Sequence, residues 1–407
     1  MAYRFKFRWI IGIILIMTVV EIQAGEAQQT IRNENPLYVD PSTQDFSRNL
    51  PLLERIQESP HGYFRFINII FSNEVCRRFS YLLLGPLSLN LHGDAHLEQY
   101  AITDLGRGLT DFDDSSIGPG ILDLMRFSVS CHLACRERGW IDSSDVIFDK
   151  FIDGYRDALK DPNLEFPEPL VARRIRSTFT YDREKYFQWV ESIMNPIPAA
   201  EADSLFQAYQ PYVEMKLIEN PDLNKNYFNI VQCGYLRMGI GSALDLKYLL
   251  RVQGETDDPM DDVVLEVKEV RDLSGIECIN PGRKNDPFRI LLGQAWIAYQ
   301  PFHHLGYFRF RGLTFWVHSW VDNYKEVSIE ESFKSARELA EVAYDVGVQL
   351  GKGHIKHISA PLDLQIRQEE LQLIKNHAEE MKNVREELAN DVIQAWERFR
   401  QSVVNAN

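Results

Sequence analysis

The sequence predicts a globular α+β protein in which a sheet-forming segment lies between two helical ones. Of its 407 residues, 45% are apolar and 12% are aromatic, which suffices for one large core or two medium ones. Apolar residues recur at helical spacing within 121–218 and again after residue 335. This spacing predicts, among others, a helix from Arg173 to Met194 and a long helix with an apolar stripe from about Leu364 to Val403. Between them, 229–268 and 306–320 contain short apolar stretches separated by glycines, a pattern typical of strands and turns.

The N-terminal residues 1–27 have the pattern of a targeting segment. Three basic residues precede an apolar run from Trp9 to Val20, and small residues follow, so we expect cleavage after Ala24 or Ala27. The run is shorter than the roughly 20 residues of a membrane-spanning helix. The sequence therefore predicts an exported protein, periplasmic or secreted, with an uncleaved membrane anchor as the alternative.

Charge and cysteine content restrict the partners of the protein. The net charge of −15 argues against a nonspecific nucleic-acid binder, since affinity for phosphate backbones requires clustered Lys and Arg. Five cysteines, an odd number, leave at least one thiol free or paired between chains. Cys131 and Cys135 lie one helical turn apart without a second pair, so we expect buried, unpaired thiols for most of the five rather than a zinc site.

The stretch from Leu91 to Arg126 holds the candidate functional site, because it contains two acidic loops. The first loop carries His92, Asp94 and His96, and the second carries Asp111, Asp113 and Asp114. Hard divalent cations take oxygens from several backbone segments, so two such loops joined by a hairpin can converge on one cation. The alternative is a loop-rich surface with solvated carboxylates.

These loops resemble the catalytic and metal-binding loops of the protein-kinase-like phosphotransferases, which include aminoglycoside and choline kinases. The order of the motifs is closer still to the bacterial family called domain of unknown function 2252. Motifs of that family are echoed at 59–65, 93–100, 111–114 and 118–126, and further similarities continue to about His354. The resemblance covers most of the chain.

The resemblance implies a role for each residue of the acidic loops. Asp94 would accept the proton of an acceptor hydroxyl or orient it, and Asp111 would bind magnesium with Asp113 as the alternative ligand. Gln99 stands where the family has a metal-binding asparagine, and its amide lies one methylene further out. The residues expected to support these are His92, His96, Asp123 and Arg65. The last of them is expected to meet a phosphate or a carboxylate.

A glycine-bearing turn and a lysine in the β-rich segment complete the implied nucleotide site. Glycine turns let backbone N–H groups approach phosphates, and a lysine at the end of a strand binds phosphate oxygens as a point charge. The predicted nucleotide-binding residues are Gly239, Gly241, Ser242 and Lys268. A β-hairpin with an exposed lysine is the alternative.

The order of these parts predicts a circularly permuted kinase-like fold with two lobes. In a standard kinase the glycine loop and the lysine strand precede the catalytic and metal loops, whereas here they follow them. Contacts rather than chain order define a cleft, so this order is physically acceptable. The predicted segments are a signal peptide at 1–27, an irregular lead-in at 28–58, a helical lobe with both acidic loops at 59–230, a small β-rich nucleotide-binding lobe at 231–330, and C-terminal helices at 331–407 that complete the larger helical lobe.

The predicted function is transfer of phosphate from a nucleotide to an unknown hydroxyl acceptor, with ATP and Mg²⁺ as cofactors. Besides Gln99, two positions depart from the kinase pattern. Leu244 replaces the third glycine. Gln294 falls where a partner for the lysine is expected, which leaves no obvious carboxylate unless Glu277 or Glu269 serves. These departures, and export to a compartment without ATP, favour a pseudokinase-like ligand-binding protein as one alternative. A hydrolase that uses both acidic loops is another, since His-x-Asp-x-His spacing also suits zinc or manganese.

Overall fold

The computed structural model describes residues 35–46, 50–83, 88–237 and 245–406, and it confirms a mixed α and β composition. The helices are α1 (Leu50–Glu58), α2 (Pro60–Phe66), α3 (Asn68–Arg78), α4 (Ile121–Glu137), α5 (Ser144–Lys160), α6 (Leu170–Arg176), α7 (Arg183–Ile193), α8 (Ala199–Glu219), α9 (Phe288–Ile297), α10 (Ala336–Gly353) and α11 (Leu362–Ala406). The strands are β1 (Leu89–Leu91), β2 (Tyr100–Thr103), β3 (Arg107–Leu109), β4 (Ser116–Gly118), β5 (Ile230–Tyr235), β6 (Lys247–Val252), β7 (Val263–Glu269), β8 (Gly306–Phe310), β9 (Leu313–Ser319) and β10 (Tyr324–Glu326). The predicted signal peptide and the positions Gly239, Gly241, Ser242 and Leu244 lie outside the described residues.

Strands β5 to β9 form one antiparallel sheet in the order β5-β6-β7-β9-β8. Side chains alternate between the two faces of a strand, so Lys268 and Glu266 share one face of β7 whereas Val267 points to the other. Lys268 lies near the end of the central strand, directly opposite Lys247 on β6 and Trp316 on β9. The register therefore places two lysines side by side.

The two faces of this sheet are covered by consecutive helices. α8 packs on the apolar face, where the shared core includes Leu205, Tyr209, Tyr212, Leu250, Leu265, Val267, Phe308 and Phe315. α7 packs on the face that carries Lys268, through the buried side chains of Tyr186, Phe187 and Val190. Burial of each such side chain contributes about 1.5–3 kcal/mol. The hydrophobic effect therefore holds α7 on the sheet.

Two smaller sheets position the acidic loops. β1 pairs with β4, and Leu91 lies opposite Ser116 in this ladder. Because β4 begins directly after the second loop, the pairing brings the start of the first loop next to the end of the second. β2 and β3 form a hairpin that also pairs with β10, and Asp111 follows this hairpin.

The helical core consists mainly of α4, α5, α10 and α11. α5 and α10 cross at very close range, because a Cβ at Gly154 or at Gly347 would lie 2.1 Å from a carbonyl oxygen of the other helix. α11 spans 45 residues, and its predicted apolar stripe is buried, including Met381, Leu388 and Phe399. None of the helices within the described residues combines the length and apolar character needed to cross a membrane.

Two predicted segments differ in the structure. The lead-in at 28–58 was predicted to be irregular, but its last nine residues form α1, because Leu52 and Ile56 lie one helical turn apart and are both fully buried. The helix predicted from Arg173 to Met194 is two helices, α6 and α7. A loop separates them, and the carboxylate of Asp182 caps the second by accepting a hydrogen bond from the Lys185 N–H at 3.2 Å.

A disulfide between Cys76 of α3 and Cys278 ties the segment that follows β7 to the helical core. The three remaining cysteines are free, and Cys131 and Cys135 are buried as predicted. We expect Cys278→Ser to lower the free energy of unfolding by about 2–4 kcal/mol, because the disulfide restricts the unfolded chain across a separation of 202 residues. Urea denaturation measures this, with Cys233→Ser as the control. Equal denaturation midpoints for wild type and Cys278→Ser would contradict it.

Candidate functional site at the two acidic loops

The carboxylate of Asp123, in the first turn of α4, holds the first acidic loop. It accepts hydrogen bonds from the backbone N–H groups of His92 at 2.7 Å and Gly93 at 2.9 Å. His354 Nε2 lies 3.1 Å from the same carboxylate. Gly93 has a φ of 85°, and a Cβ there would lie 1.8 Å from the backbone oxygen of Asp114. Asp123 therefore fixes a tight turn of the first loop, and this turn packs directly against the second loop.

Asp94 follows in this loop and is buried against Arg126 of α4. Arg126 Nε lies 2.9 Å and Nη2 lies 2.8 Å from Asp94 Oδ1, and the guanidinium lies 3.7 Å over the ring of Phe64. Burial raises the pKa of Asp94 to about 7, since the charge of Arg126 offsets only part of the desolvation. A carboxyl group that titrates near neutral pH is suited to accept a proton.

The second acidic loop meets the lysine of β7. Lys268 Nζ lies 2.7 Å from Asp111 Oδ1 and 2.6 Å from Asp113 Oδ2. Trp316 Nε1 donates to Asp113 Oδ1 at 2.8 Å, and Gln99 Nε2 donates to Asp111 Oδ2 at 3.5 Å. Asp111 has a φ of 58°, and non-glycine residues in this left-handed region cluster at functional sites. The structure thus joins the predicted lysine to the predicted metal ligands.

The charges in this cluster shift the pKa values of its members. Burial alone would lower the pKa of Lys268, but Asp111 and Asp113 raise it well above its ordinary value. Burial alone would raise the pKa of Asp111, but the charges of Lys268 and Lys247 hold it well below its usual range. Burial and the charge of Asp111 raise the pKa of Asp113. The carboxylate of Asp111 is therefore the permanent negative charge of the pair.

Four basic residues at the two loops were not predicted: Arg126, Lys247, Arg271 and Arg289. Arg271 Nη1 lies 3.2 Å from Asp114 Oδ1, and Arg289 Nη1 donates to the carbonyl of Ser115 at 2.8 Å. Lys247 is buried beside Lys268. Whether Lys247 lies beside Lys268 depends on the register between β6 and β7, which the sequence of β6 alone does not specify. Arg126 stands inside the motif at 118–126 that the sequence singled out, and this position was the available signal.

The other predicted supporting residues contact protein groups. His92 Nε2 lies 2.9 Å from the carbonyl oxygen of Thr110, and its ring packs on Phe112 with centroids 4.7 Å apart. His96 is buried, with Nε2 3.7 Å from Asp94 Oδ2. Arg65 does meet a carboxylate, that of Glu98 at 3.0 Å.

Glu277 and Glu269, the two alternatives left open for a carboxylate beside Lys268, do not pair with it in the described part of the chain. The carboxylates at Lys268 are those of Asp111 and Asp113. Glu269 instead accepts a hydrogen bond from the N–H of Leu246 at 3.1 Å, because its side chain alternates to the opposite face of β7. Gln294 of α9 is buried at the position where a carboxylate was expected.

A model of the family described as "Uncharacterized protein conserved in bacteria (DUF2252)" matches residues 50–186 and 176–402. The chain belongs to this family. The resemblance to this family that the order of the motifs indicated is thereby confirmed. The DUF2252 match includes both acidic loops and Lys268. No curated protein and no solved structure matches the chain.

The donor set of the DUF2252 site decides which metal ions it fits. In the part of the chain that the structure describes, no three His, Cys, Asp or Glu side chains converge to hold a metal ion. Magnesium, however, is usually bound by one or two carboxylates together with substrate phosphates and water rather than by a protein cage. Asp111, with its side chain 32% exposed, and the adjacent Gln99 amide fit that mode.

The pKa of Asp94 predicts a pH dependence of stability. Its folded-state pKa of about 7 lies above the ordinary 3.8, so the folded state keeps a proton that the unfolded state releases between these values. The stability that this group contributes is present at low pH and is lost as pH rises from about 4 to about 7. Relative to wild type, Asp94→Asn should therefore gain stability across that window and no further above it. Urea denaturation of both proteins at about pH 4.5, 6 and 8 tests this. A difference in their free energies of unfolding that stays constant with pH would contradict it.

Proposed function

We propose that this protein is a kinase-like phosphotransferase that moves a phosphoryl group from a polyphosphate donor, ATP in the simplest case, to a hydroxyl acceptor. One observation carries the proposal: Lys268 of the sheet lies on the carboxylates of Asp111 and Asp113, next to the loop of Asp94. Phosphoryl transfer needs little covalent chemistry from a protein, because positioning and neutralisation of charge supply most of the catalysis. A buried lysine that contacts the second acidic loop, which packs against the first loop at Gly93, provides both.

The order of the elements supports a permuted kinase-like arrangement. Along the chain, β5 and β6 are followed by β7 with Lys268 and then by α9, which is the kinase order of glycine-loop strands, lysine strand and helix. The acidic loops come from the preceding helical part and yet meet Lys268. In this proposal the sheet with α9 is the nucleotide lobe and the remaining helices form the larger lobe.

Each residue of the cluster has a place in the transfer. Lys268 and Lys247 attract the phosphate oxygens of the donor. Asp111 with Gln99 would hold magnesium, whose charge would neutralise those oxygens. Asp94 accepts the proton of the acceptor hydroxyl, and Arg126 fixes the orientation of its carboxylate. Asp123 and His354 keep the Asp94 loop in place.

A pseudokinase-like binding protein is the second candidate. The observation that favours it is the pairing of Lys268 with both carboxylates that would otherwise bind magnesium. The hydrolase alternative has less support, because the His92 imidazole already contacts the Thr110 carbonyl and the Asp94 N–H.

The sequence signal for export agrees with the Cys76–Cys278 disulfide, since disulfides persist in oxidising compartments.

Release of inorganic phosphate from Mg·ATP to water tests the proposal without knowledge of the acceptor. We expect slow, magnesium-dependent release by the wild type and a loss of at least about 100-fold in Asp111→Asn, because the charge that holds the metal is removed. The exposed Glu184→Gln is the matched control. Tight binding of Mg·ATP without release would instead favour the pseudokinase-like protein, and neither binding nor release would refute both.

A further inference from the structure

We propose that the site recognises its donor through the phosphate chain and not through a base, because α7 covers the part of the sheet on which a base would lie. This inference rests on the phosphotransferase function proposed above and names its donor class. That class is a magnesium-bound polyphosphate, either inorganic or as the tail of any nucleotide.

The position of Lys268 fixes the direction in which a nucleoside would extend. Lys268 and Lys247 lie at one end of the sheet, next to Asp111. The reacting phosphate points towards the acidic loops, so a nucleoside must extend the other way, along the same face. With about 3.3 Å per residue, Val264 lies about 13 Å along β7 from Lys268. Leu249 of β6 lies opposite Glu266, between these two positions.

This face is already occupied. Tyr186, Phe187 and Val190 of α7 form a buried cluster with Leu249 and Val264, together with Leu236. Tyr186 is 8% exposed, Phe187 3% and Val190 0%, so α7 covers the apolar surface of Leu249 and Val264.

Polar and aromatic contacts hold α7 in place along its whole length. At its start, Arg183 pairs with Asp322 and donates to the carbonyl of Met260 at 2.9 Å. In its middle, Trp189 stacks on Trp320 with ring centroids 5.4 Å apart. After its end, the backbones of Asn195 and Tyr235 exchange two hydrogen bonds of 2.9 Å. These contacts tie α7 to the sheet edge and to the segment after β9.

Glu266 makes the remaining stretch between Lys268 and α7 unsuitable for a base. Its side chain shares the Lys268 face of β7 and is 11% exposed. It accepts a hydrogen bond from Trp320 Nε1 at 2.7 Å and lies 3.2 Å from His318 Nε2. A carboxylate fixed in this way offers an aromatic ring no apolar surface, whereas a phosphate chain held at Lys268 and Lys247 need not pass it.

Calorimetric titration of the full chain with the magnesium complexes of ATP, GTP and inorganic tripolyphosphate tests the proposal. We expect all three dissociation constants to agree within about threefold. ATP binding that is about tenfold or more tighter than both others would overturn the inference and leave the phosphotransferase function standing. Binding of none of the three would refute the proposed function itself.

Variants of α7 test whether this helix excludes the base. Phe187→Ala should improve the binding of ATP relative to tripolyphosphate by at least about fivefold, because a base gains access to Leu249 and Val264. Trp189→Ala, half-exposed and less able to disrupt folding, should change the ratio in the same direction. Lys185→Ala, whose side chain is 81% exposed, is the control. An unchanged ratio in both α7 variants would show that α7 does not exclude the base.

Discussion

Asp94→Asn is expected to lower the rate of phosphate transfer by about 10²- to 10⁴-fold, the usual contribution of a general base. The amide keeps the size of the carboxyl group and can still accept a hydrogen bond from Arg126, but it cannot take a proton from the acceptor. The rate of phosphate release from Mg·ATP measures the effect. The affinity for Mg·ATP should change little, because in the proposed site Lys268, Lys247 and the metal would hold the donor.

The pH profile separates this role of Asp94 from a structural one. Since the pKa of Asp94 is about 7, the wild-type rate should rise as pH passes through this value and then level off. Asp94→Asn should lose that rise. A variant that retains the wild-type rate, or the same pH profile at a lower rate, would rule out Asp94 as the base.

Arg126→Met is expected to lower the free energy of unfolding by about 3–5 kcal/mol, the cost of removing one partner of a buried ion pair. Arg126 is 2% exposed and packs over Phe64, so methionine keeps part of the packing while Asp94 loses the cation that lies against its carboxylate. Asp94 takes up a proton more readily without Arg126, because its pKa, already about 7 beside this cation, rises further when the cation is removed. The destabilisation should therefore be smaller below about pH 7 than above it.

A double variant gives the control for this prediction. Replacing both partners of a buried ion pair with neutral groups costs less than the sum of the two single changes. Asp94→Asn combined with Arg126→Met should therefore be more stable than the single effects predict. Urea denaturation of the four proteins in the cycle measures the coupling, and additive effects would contradict a direct pairing of the two side chains.

The parts of the site that depend on local sequence were predictable. The motifs pointed to Asp94 and Asp111, and the strand pattern pointed to Lys268, without any knowledge of their distances. The structure places Lys268 against Asp111. Helical periodicity likewise located α4, α10 and α11, because an amphipathic stripe is a local property.

The parts that depend on tertiary packing were not predictable. α7 looked like the second half of a longer helix, and its covering of the sheet follows from contacts such as Trp189 with Trp320, 131 residues apart in sequence. The Cys76–Cys278 pairing spans 202 residues and has no local signal. A carboxylate partner of Lys268 was expected at the position of Gln294 on α9, and the partners lie on the second acidic loop instead.

Calorimetric titration of Lys268→Met with Mg·ATP tests the central claim most directly. If Lys268 and the acidic loops enclose a polyphosphate, the wild type binds Mg·ATP and the variant loses at least about tenfold in affinity, whereas the exposed Lys225→Met binds as the wild type does. A folded Lys268→Met protein that binds Mg·ATP as tightly as the wild type would contradict the proposed site.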